Sequence, residues 1–113
     1  MIEVIVREHL AGALSVPVAL ETPTDPPASY VTIEKTGSGA ENKLQRATLA
    51  VRCAGPSLYD AAVLCGQVKA AMEELRGASE NVFGVYCETD YNFTDTRTKE
   101  RRYQAVFHVY YLD

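Results

Sequence analysis

The stretch SLYDAAVLCGQVKAAMEELRG, residues 57–77, carries the strongest structural signal of the chain. Apolar side chains recur in it at intervals of three and four residues, as on one face of an α-helix. This seam consists of Leu58, Ala61, Cys65, Val68, Met72 and Leu75. Ser57 and Asp60 resemble a capping box, and Gly77 is a natural end point. We therefore predict a helix from about Leu58 to Arg76, with small residues that let it lie close to a sheet.

The segments before this helix predict strands. Residues 44–53 alternate and place Ala47, Leu49, Val51 and Cys53 on one face. Residues 29–36 also alternate, which predicts a strand with one buried face. Residues 16–20 are short and include Pro17, which cannot donate a ladder hydrogen bond, so an edge strand is predicted.

The N-terminal residues 2–14 show a helical apolar stripe, and His9 on or beside it is interpreted as a packing residue. Between two predicted strands, residues 37–43 read GSGAENK and are predicted to form a mobile polar loop. The lone G-x-G has no lysine or further glycine in the positions that a phosphate-binding loop requires.

After the central helix, residues 82–94 and 99–112 predict a long β-hairpin with a polar turn at residues 95–98. The second faces of its two strands mix aromatic, apolar and charged groups, which favours contact with another subunit over exposure to water. The candidate interface residues on those faces are Tyr86, Glu88, Asp90, Val106, His108 and Tyr110.

The element order is therefore α-β-β-β-α-β-β, which predicts an α+β domain with helices packed on a mainly antiparallel sheet. A chain of 113 residues fits one domain, residues 1–113. The sequence contains no internal repeat. Its N-terminus carries Glu3, Arg7 and Glu8 within an apolar stretch, unlike a secretory signal, and no apolar run approaches the length of a membrane span. We expect a cytosolic protein with no membrane contact.

Four of the eleven basic residues fall within six positions near the C-terminus: Arg97, Lys99, Arg101 and Arg102. They could contact nucleic acid phosphates, or they could solvate the tip of the hairpin. The net charge of −4 opposes a dedicated nucleic-acid-binding role, and Asp95 and Glu100 lie within the cluster.

Few residues in the sequence indicate catalysis or metal binding. The three cysteines, Cys53, Cys65 and Cys87, are widely spaced and without a C-x-x-C pair, so we interpret them as buried free thiols. Glu88, Asp90 and His108 could meet across the hairpin as a metal or acid–base site, but charges on a solvated or interfacial sheet explain them equally well. No catalytic residue, metal or cofactor is predicted.

Several stretches together resemble one protein family over nearly the whole chain. They are VPVALETPTDPPASYVTIEKTGSG, then TLAVRCAGPSLYDAAVLCGQVKAAMEEL, and finally YNFTDTRTKERRYQAVFHVYY. This run resembles the small tail-terminator, or tail-completion, proteins of long-tailed bacteriophages and prophages. Head-completion and neck proteins of similar size look alike.

The resemblance implies a subunit of a ring, usually a hexamer, that caps the tail tube, stops its polymerisation and receives the head connector. It implies no cofactor and no catalytic residue. Contacts to the tube, the neck or DNA in the lumen would come from Gly37, Ser38, Gly39, Glu41, Lys43, Arg97, Lys99, Arg101 and Arg102. The protein would be found in the host cytoplasm during assembly and then in the virion tail.

Overall fold

The computed structural model describes residues 1–112 and is elongated, with extents of 43 × 25 × 23 Å. Its elements in chain order are α1 (Ile2–Ala13), β1 (Val18–Ala19), β2 (Tyr30–Glu41), β3 (Leu44–Gly55), α2 (Leu58–Glu73), α3 (Leu75–Ala78), β4 (Val82–Asn92) and β5 (Arg101–Tyr111). The predicted α+β order is confirmed, with the short helix α3 as an addition.

The strands form one sheet in the order β1-β2-β3-β5-β4. All neighbours are antiparallel except β1 and β2, which pair in parallel over two residues. The strand β1 lies at the edge, as Pro17 predicts. The β4–β5 hairpin follows α2, and β5 pairs with β3 rather than at the outer edge, so the last strand of the chain lies inside the sheet.

The helices cover one face of the sheet and form the core with it. Ala61, Cys65, Val68, Met72 and Leu75 are buried as the helical seam predicts. Opposite them lie the predicted apolar faces of β3 and β5; these comprise Ala47, Leu49, Val51, Cys53, Ala105, Phe107, Val109 and Tyr111. The regular apolar spacing in both kinds of element therefore determines which side of the sheet receives the helices.

The start of α2 is fixed by its cap and by a close approach to β3. The Ser57 Oγ accepts from the Asp60 backbone N–H at 3.1 Å and donates to the Asp60 carboxylate at 2.8 Å. A Cβ on Gly55 would lie 2.9 Å from the backbone nitrogen of Ala61, so only glycine fits there. The predicted cap is confirmed.

Two details of this helix differ from the prediction. Leu58, the first residue of α2, is exposed instead of joining the buried seam, which begins at Ala61. The helix is interrupted at Glu74, and Gly77 lies inside α3 rather than ending the helix. Burial of Leu75 gives α3 its own anchor on the core.

The N-terminal helix α1 packs through Ile2, Val6 and Leu10, close to its predicted bounds. His9 Nε2 donates to the Ala71 carbonyl at 2.7 Å, which ties α1 to α2. The interpretation of His9 as a packing residue is therefore confirmed.

The prediction of a mobile loop at residues 37–43 is wrong. Strand β2 continues to Glu41, and only Asn42 and Lys43 form the turn to β3. Both have positive φ, 51° and 69°, which is the backbone of a tight two-residue hairpin turn. The glycines misled the prediction because they occupy strand positions after a bulge between Lys35 and Gly37.

Strand β4 contains two register irregularities, between Val82 and Gly84 and between Cys87 and Thr89. Each inserts a residue and reverses the alternation beyond it. Tyr91 therefore joins the face of Tyr86, and Asp90 turns to the helix side of the sheet. A strict two-residue period had placed Asp90 with Tyr86 and Glu88, which is wrong.

The cysteine interpretation holds for two thiols and fails for the third. Cys53 and Cys65 are free and buried, and Cys87 is free but exposed. The pKa of the Cys53 thiol is raised by its hydrogen bond with Cys65 and by burial. Cys87 is exposed because β4 is an edge strand that α2 covers only in part.

Candidate assembly surface

The face of the sheet that points away from the helices is called here the second face. Its central row runs Thr32, Arg52, Gln104 and Tyr91 across β2, β3, β5 and β4. One end of this face is covered by the connection between β4 and β5, residues 93–100, which is called here the tip. The other end has no covering segment within residues 1–112.

The tip is an ordered structure longer than the predicted turn at residues 95–98. Asp95 organises it, because its Oδ1 accepts from the backbone N–H groups of Arg97 at 2.8 Å and Thr98 at 3.2 Å. These hydrogen bonds lower the pKa of the Asp95 carboxyl. Lys99 then adopts a φ of 65°, and Phe93 donates to the Arg102 carbonyl. The tip is thereby held in one conformation.

Phe93 anchors the tip on the second face. Two guanidinium groups lie over its ring, Arg52 at 4.9 Å and Arg102 at 5.1 Å from the ring centroid. Arg52 also donates to the Gln104 side chain at 2.8 Å, and Gln104 donates to the Tyr91 hydroxyl. Cation–π contacts of this kind stabilise each pair by about 0.5–2 kcal/mol.

Tyr30 closes the same end of the sheet. Its hydroxyl donates to Glu100 Oε2 at 2.8 Å, and burial followed by this hydrogen bond raises its pKa to about 12. Tyr30 and Thr32 are buried along with Val31 and Ile33. The prediction that this strand has one buried face is therefore wrong at these residues, because the tip covers Tyr30 and Thr32 lies beside Arg52 and residues 20–22.

The structure divides the basic cluster into two kinds of residue. Arg102 is largely buried, donates to the Phe93 carbonyl at 3.2 Å and lies 3.6 Å from Glu100 and 3.8 Å from Asp95. Arg97, Lys99 and Arg101 are exposed and form no ion pair within residues 1–112. Since the two acids of the tip are already engaged by Arg102, three positive charges face the solvent.

The uncovered end of the second face holds a polar row. Glu88 Oε1 accepts from His108 Nε2 at 2.7 Å, and His108 Nδ1 lies 3.1 Å from the Thr48 hydroxyl. In a neutral imidazole, Nδ1 then accepts the Thr48 proton. The predicted approach of Glu88 and His108 across the hairpin is confirmed.

Asp90 is absent from that row. Its carboxylate accepts from Lys69 Nζ of α2 at 2.7 Å on the opposite side of the sheet. Within the described residues, no group of three histidine, cysteine or acidic side chains could hold a metal ion. Glu88, His108 and Thr48 thus form a hydrogen-bonded row on an open sheet surface rather than a site enclosed by a pocket.

Two tyrosines stand beside this row. The rings of Tyr86 and Tyr110 meet edge to face at 5.7 Å, and the Tyr86 ring lies over Gly84. Tyr86 is 62% exposed. Next to Tyr110 is an open cavity of about 370 Å³ lined by residues of the β2–β3 turn, Gly39 and Arg46. The candidate interface residues other than Asp90 therefore lie on one uncovered surface, with Val106 between the tip and the polar row.

The candidate contact residues fall at opposite ends of the long axis. Arg97, Lys99 and Arg101 lie at the tip, whereas Glu41 and Lys43 lie at the β2–β3 turn. Gly37, Ser38 and Gly39 belong to the outer half of β2. Sequence reasoning missed Arg46, Arg52, Phe93 and Tyr30, whose contacts depend on strand order; only the cation–aromatic composition of the hairpin hinted at them.

Of the comparisons with known proteins, the one with solved structures gives matches. No protein-family model matches the chain, and no curated protein matches its sequence. A chain from the virion of a native gene transfer agent particle has a similar structure, with a TM-score of 0.59 and 15% sequence identity. The match covers 96% of this chain and 92% of that chain. At this identity the likeness is one of fold. No helix among residues 1–112 is long and apolar enough to cross a membrane.

Proposed function

We propose that the chain is a structural protein of a phage or phage-like particle and that it forms a ring, of six copies in the usual arrangement, on the end of the tail tube. The observation that carries this proposal is the fold shared with a chain of the gene transfer agent virion over 96% of this chain. The resemblance of the sequence to tail-terminator proteins points to the same class.

The shape of the subunit supports this role. The segments proposed to contact partners, the basic tip and the β2–β3 turn, lie at opposite ends of a subunit 43 Å long. A ring built from such subunits has two different surfaces, one for the tail-tube protein and one for the neck or head connector. Heterologous contacts that close produce rings of this kind.

Deletion of the gene in a strain that produces the particle tests the proposal. We expect virions or free tails of excessive and variable length, because the tube is no longer capped, and normal length after complementation. Tail length is measured by electron microscopy. Tails of normal length in the deletion strain contradict the terminator role. Filled heads beside free tails of correct length instead favour the alternative, a neck or head-completion adaptor.

A nucleic-acid contact is the second candidate, favoured by the three tip charges that form no ion pair among residues 1–112. Arg97, Lys99 and Arg101 could touch DNA phosphates as the genome passes through the ring. Binding of this kind weakens steeply with salt. A variant with all three replaced by glutamate loses any such binding in a filter or fluorescence assay; unchanged binding excludes the tip as the DNA contact.

A further inference from the structure

The sheet has two open edges. β1 covers only Val31 and Thr32 of β2, so the outer side of β2 from about residue 34 to residue 41 has no neighbouring strand within the described chain. The outer side of β4 has no neighbouring strand within residues 1–112. Backbone N–H and C=O groups on both edges can therefore accept another strand.

The free part of β2 has charged residues at Glu34, Lys35 and Glu41 and a bulge after Lys35, but the stretch between Lys35 and Glu41 has no charge or proline to protect it. Residues 36–40 read TGSGA, with small side chains, no proline and no charge. Monomeric proteins commonly block such edges with charges, prolines or a covering segment. An exposed strand of this kind is suited to pairing with another chain.

The free edge of β4 has the opposite character. Phe83, Tyr86 and Tyr91 are 47%, 62% and 39% exposed along this one strand. Aromatic residues are enriched in protein interfaces. The large side chains of β4 are matched in size by the small ones of β2, where the Arg46 guanidinium lies so close over Gly39 that an added Cβ would be 2.8 Å from it.

We propose that neighbouring copies join edge to edge, with β4 of one copy pairing antiparallel with β2 of the next, so that the sheet continues around the ring. This inference rests on the proposed ring. Because β2, β3, β5 and β4 alternate in direction, rotation about an axis along the strands places β4 antiparallel to the neighbouring β2. The contact is heterologous, as closure into a ring requires.

Rotation about an axis parallel to the strands does not shift a residue along that axis. It therefore predicts which residues of β4 and of the neighbouring β2 lie side by side. Lys35, Leu49, Phe107 and Cys87 form one row across the sheet on the helix side. Lys35 of one copy therefore comes next to the exposed Cys87 of its neighbour. Paired strands lie about 5 Å apart, a separation that a disulfide can span.

Disulfide trapping in the intact protein tests the joint. Lys35→Cys, oxidised under native conditions, is expected to give a ladder of covalent oligomers on a non-reducing gel, and Cys87→Ser in the same background abolishes it. Ser38→Cys and Ala40→Cys, on the same face of β2, test a shifted register. Tyr59→Cys on the outer face of α2 is the matched control and gives no link to Cys87. Absence of cross-links from all three β2 positions, both in the purified protein and after its assembly on tail tubes, overturns the proposal.

A second test uses Tyr86→Lys, with Tyr59→Lys as the control, because both tyrosines are largely exposed and lie on opposite sides of the subunit. Circular dichroism and thermal melting check that each variant folds. Loss of oligomers from Tyr86→Lys alone, measured by native mass spectrometry, supports the joint. Loss from Tyr59→Lys alone overturns it and assigns the contact to α2, while the terminator role stands. Failure of that role is seen separately, as normal tail length in the deletion strain.

Discussion

Arg101 and Arg102 are adjacent in sequence and perform different physical tasks. Arg102 stacks on Phe93 and reaches the carboxylates of Asp95 and Glu100. Arg101 is exposed and forms no ion pair among residues 1–112. The sequence presents both as members of one basic cluster, and only the packing of the tip separates a residue that maintains the fold from residues available to a partner.

Arg102→Ala is expected to lower the free energy of unfolding by about 1–3 kcal/mol, because it removes the stacking contact and leaves two acids without their shared cation. Arg101→Ala is the matched control and changes it by no more than about 0.5 kcal/mol. Urea denaturation followed by circular dichroism measures both. Equal effects of the two substitutions would show that the tip is not anchored through Arg102.

Tyr30 makes stability depend on alkaline pH. Its pKa is raised by burial and by the bond to Glu100 to about 12 in the folded protein, above its ordinary value of 10.0. A raised pKa contributes stability that is complete below pH 10 and is lost as the pH rises towards 12. The unfolded chain loses this proton first, so alkali favours unfolding.

Relative to Tyr30→Phe, the wild-type protein is therefore expected to lose about 1 kcal/mol of stability between pH 10 and pH 11. Taking the difference between the two proteins cancels the titration of lysines and other tyrosines. Urea denaturation at several pH values from 8 to 11 gives the measurement. A difference that stays constant over this range would contradict a raised Tyr30 pKa.

At the scale of the elements, the β2–β3 turn can be improved. Asn42 and Lys43 both have positive φ, and lysine is poorly suited to that conformation whereas Asn-Gly is the favoured pair. We expect Lys43→Gly to raise the free energy of unfolding by about 0.5–1 kcal/mol. Asn42→Val, which places a β-branched residue at positive φ, lowers it. A destabilising Lys43→Gly measured by urea denaturation would show that Lys43 has contacts that outweigh its backbone strain.

The elements that the sequence predicts well are those with a regular apolar period. The seam from Ala61 to Leu75 and the alternation in β3 and β5 identify the helix, the strands and the buried face of the sheet. Glu88 and His108 meet as predicted because their strands are adjacent. These features depend on local spacing and on the pairing of a hairpin.

The features that sequence reasoning misses depend on irregular backbone or distant packing. A bulge in β4 turns Asp90 towards Lys69, and one in β2 hides a strand within a glycine-containing segment. Burial of Tyr30 requires that the tip fold back over the sheet. A two-residue period in the sequence does not show where a bulge inserts an extra residue into a strand. The position of the tip depends on the packing of strands that are far apart in the chain.

At the scale of the whole molecule, this subunit exposes large apolar side chains on both sides of the sheet. On helix α2, the exposed Tyr59 and Val63 stand among the exposed polar residues Asp60, Gln67 and Glu73, as on an ordinary solvated helix face. On β4, Phe83, Tyr86 and Tyr91 are exposed along one strand at the edge of the sheet. Because aromatic residues are enriched in protein interfaces, this edge favours an assembled state more than the outer side of α2 does.

The proposed assembly makes the stability of the fold depend on protein concentration. Association that involves only the folded state raises the melting temperature as concentration increases. For the wild-type protein we expect a rise of about 5 °C or more over a hundredfold range, by mass action on a domain of this length. Tyr86→Lys, which disturbs the β4 edge, gives a melting temperature independent of concentration, whereas Tyr59→Lys retains the wild-type slope. Differential scanning fluorimetry and calorimetry cover the range. A wild-type melting temperature that does not change with concentration would mean that the proposed ring forms only on the tail tube. The two variants would then be compared on purified tubes, where Tyr86→Lys alone has to show loss of capping.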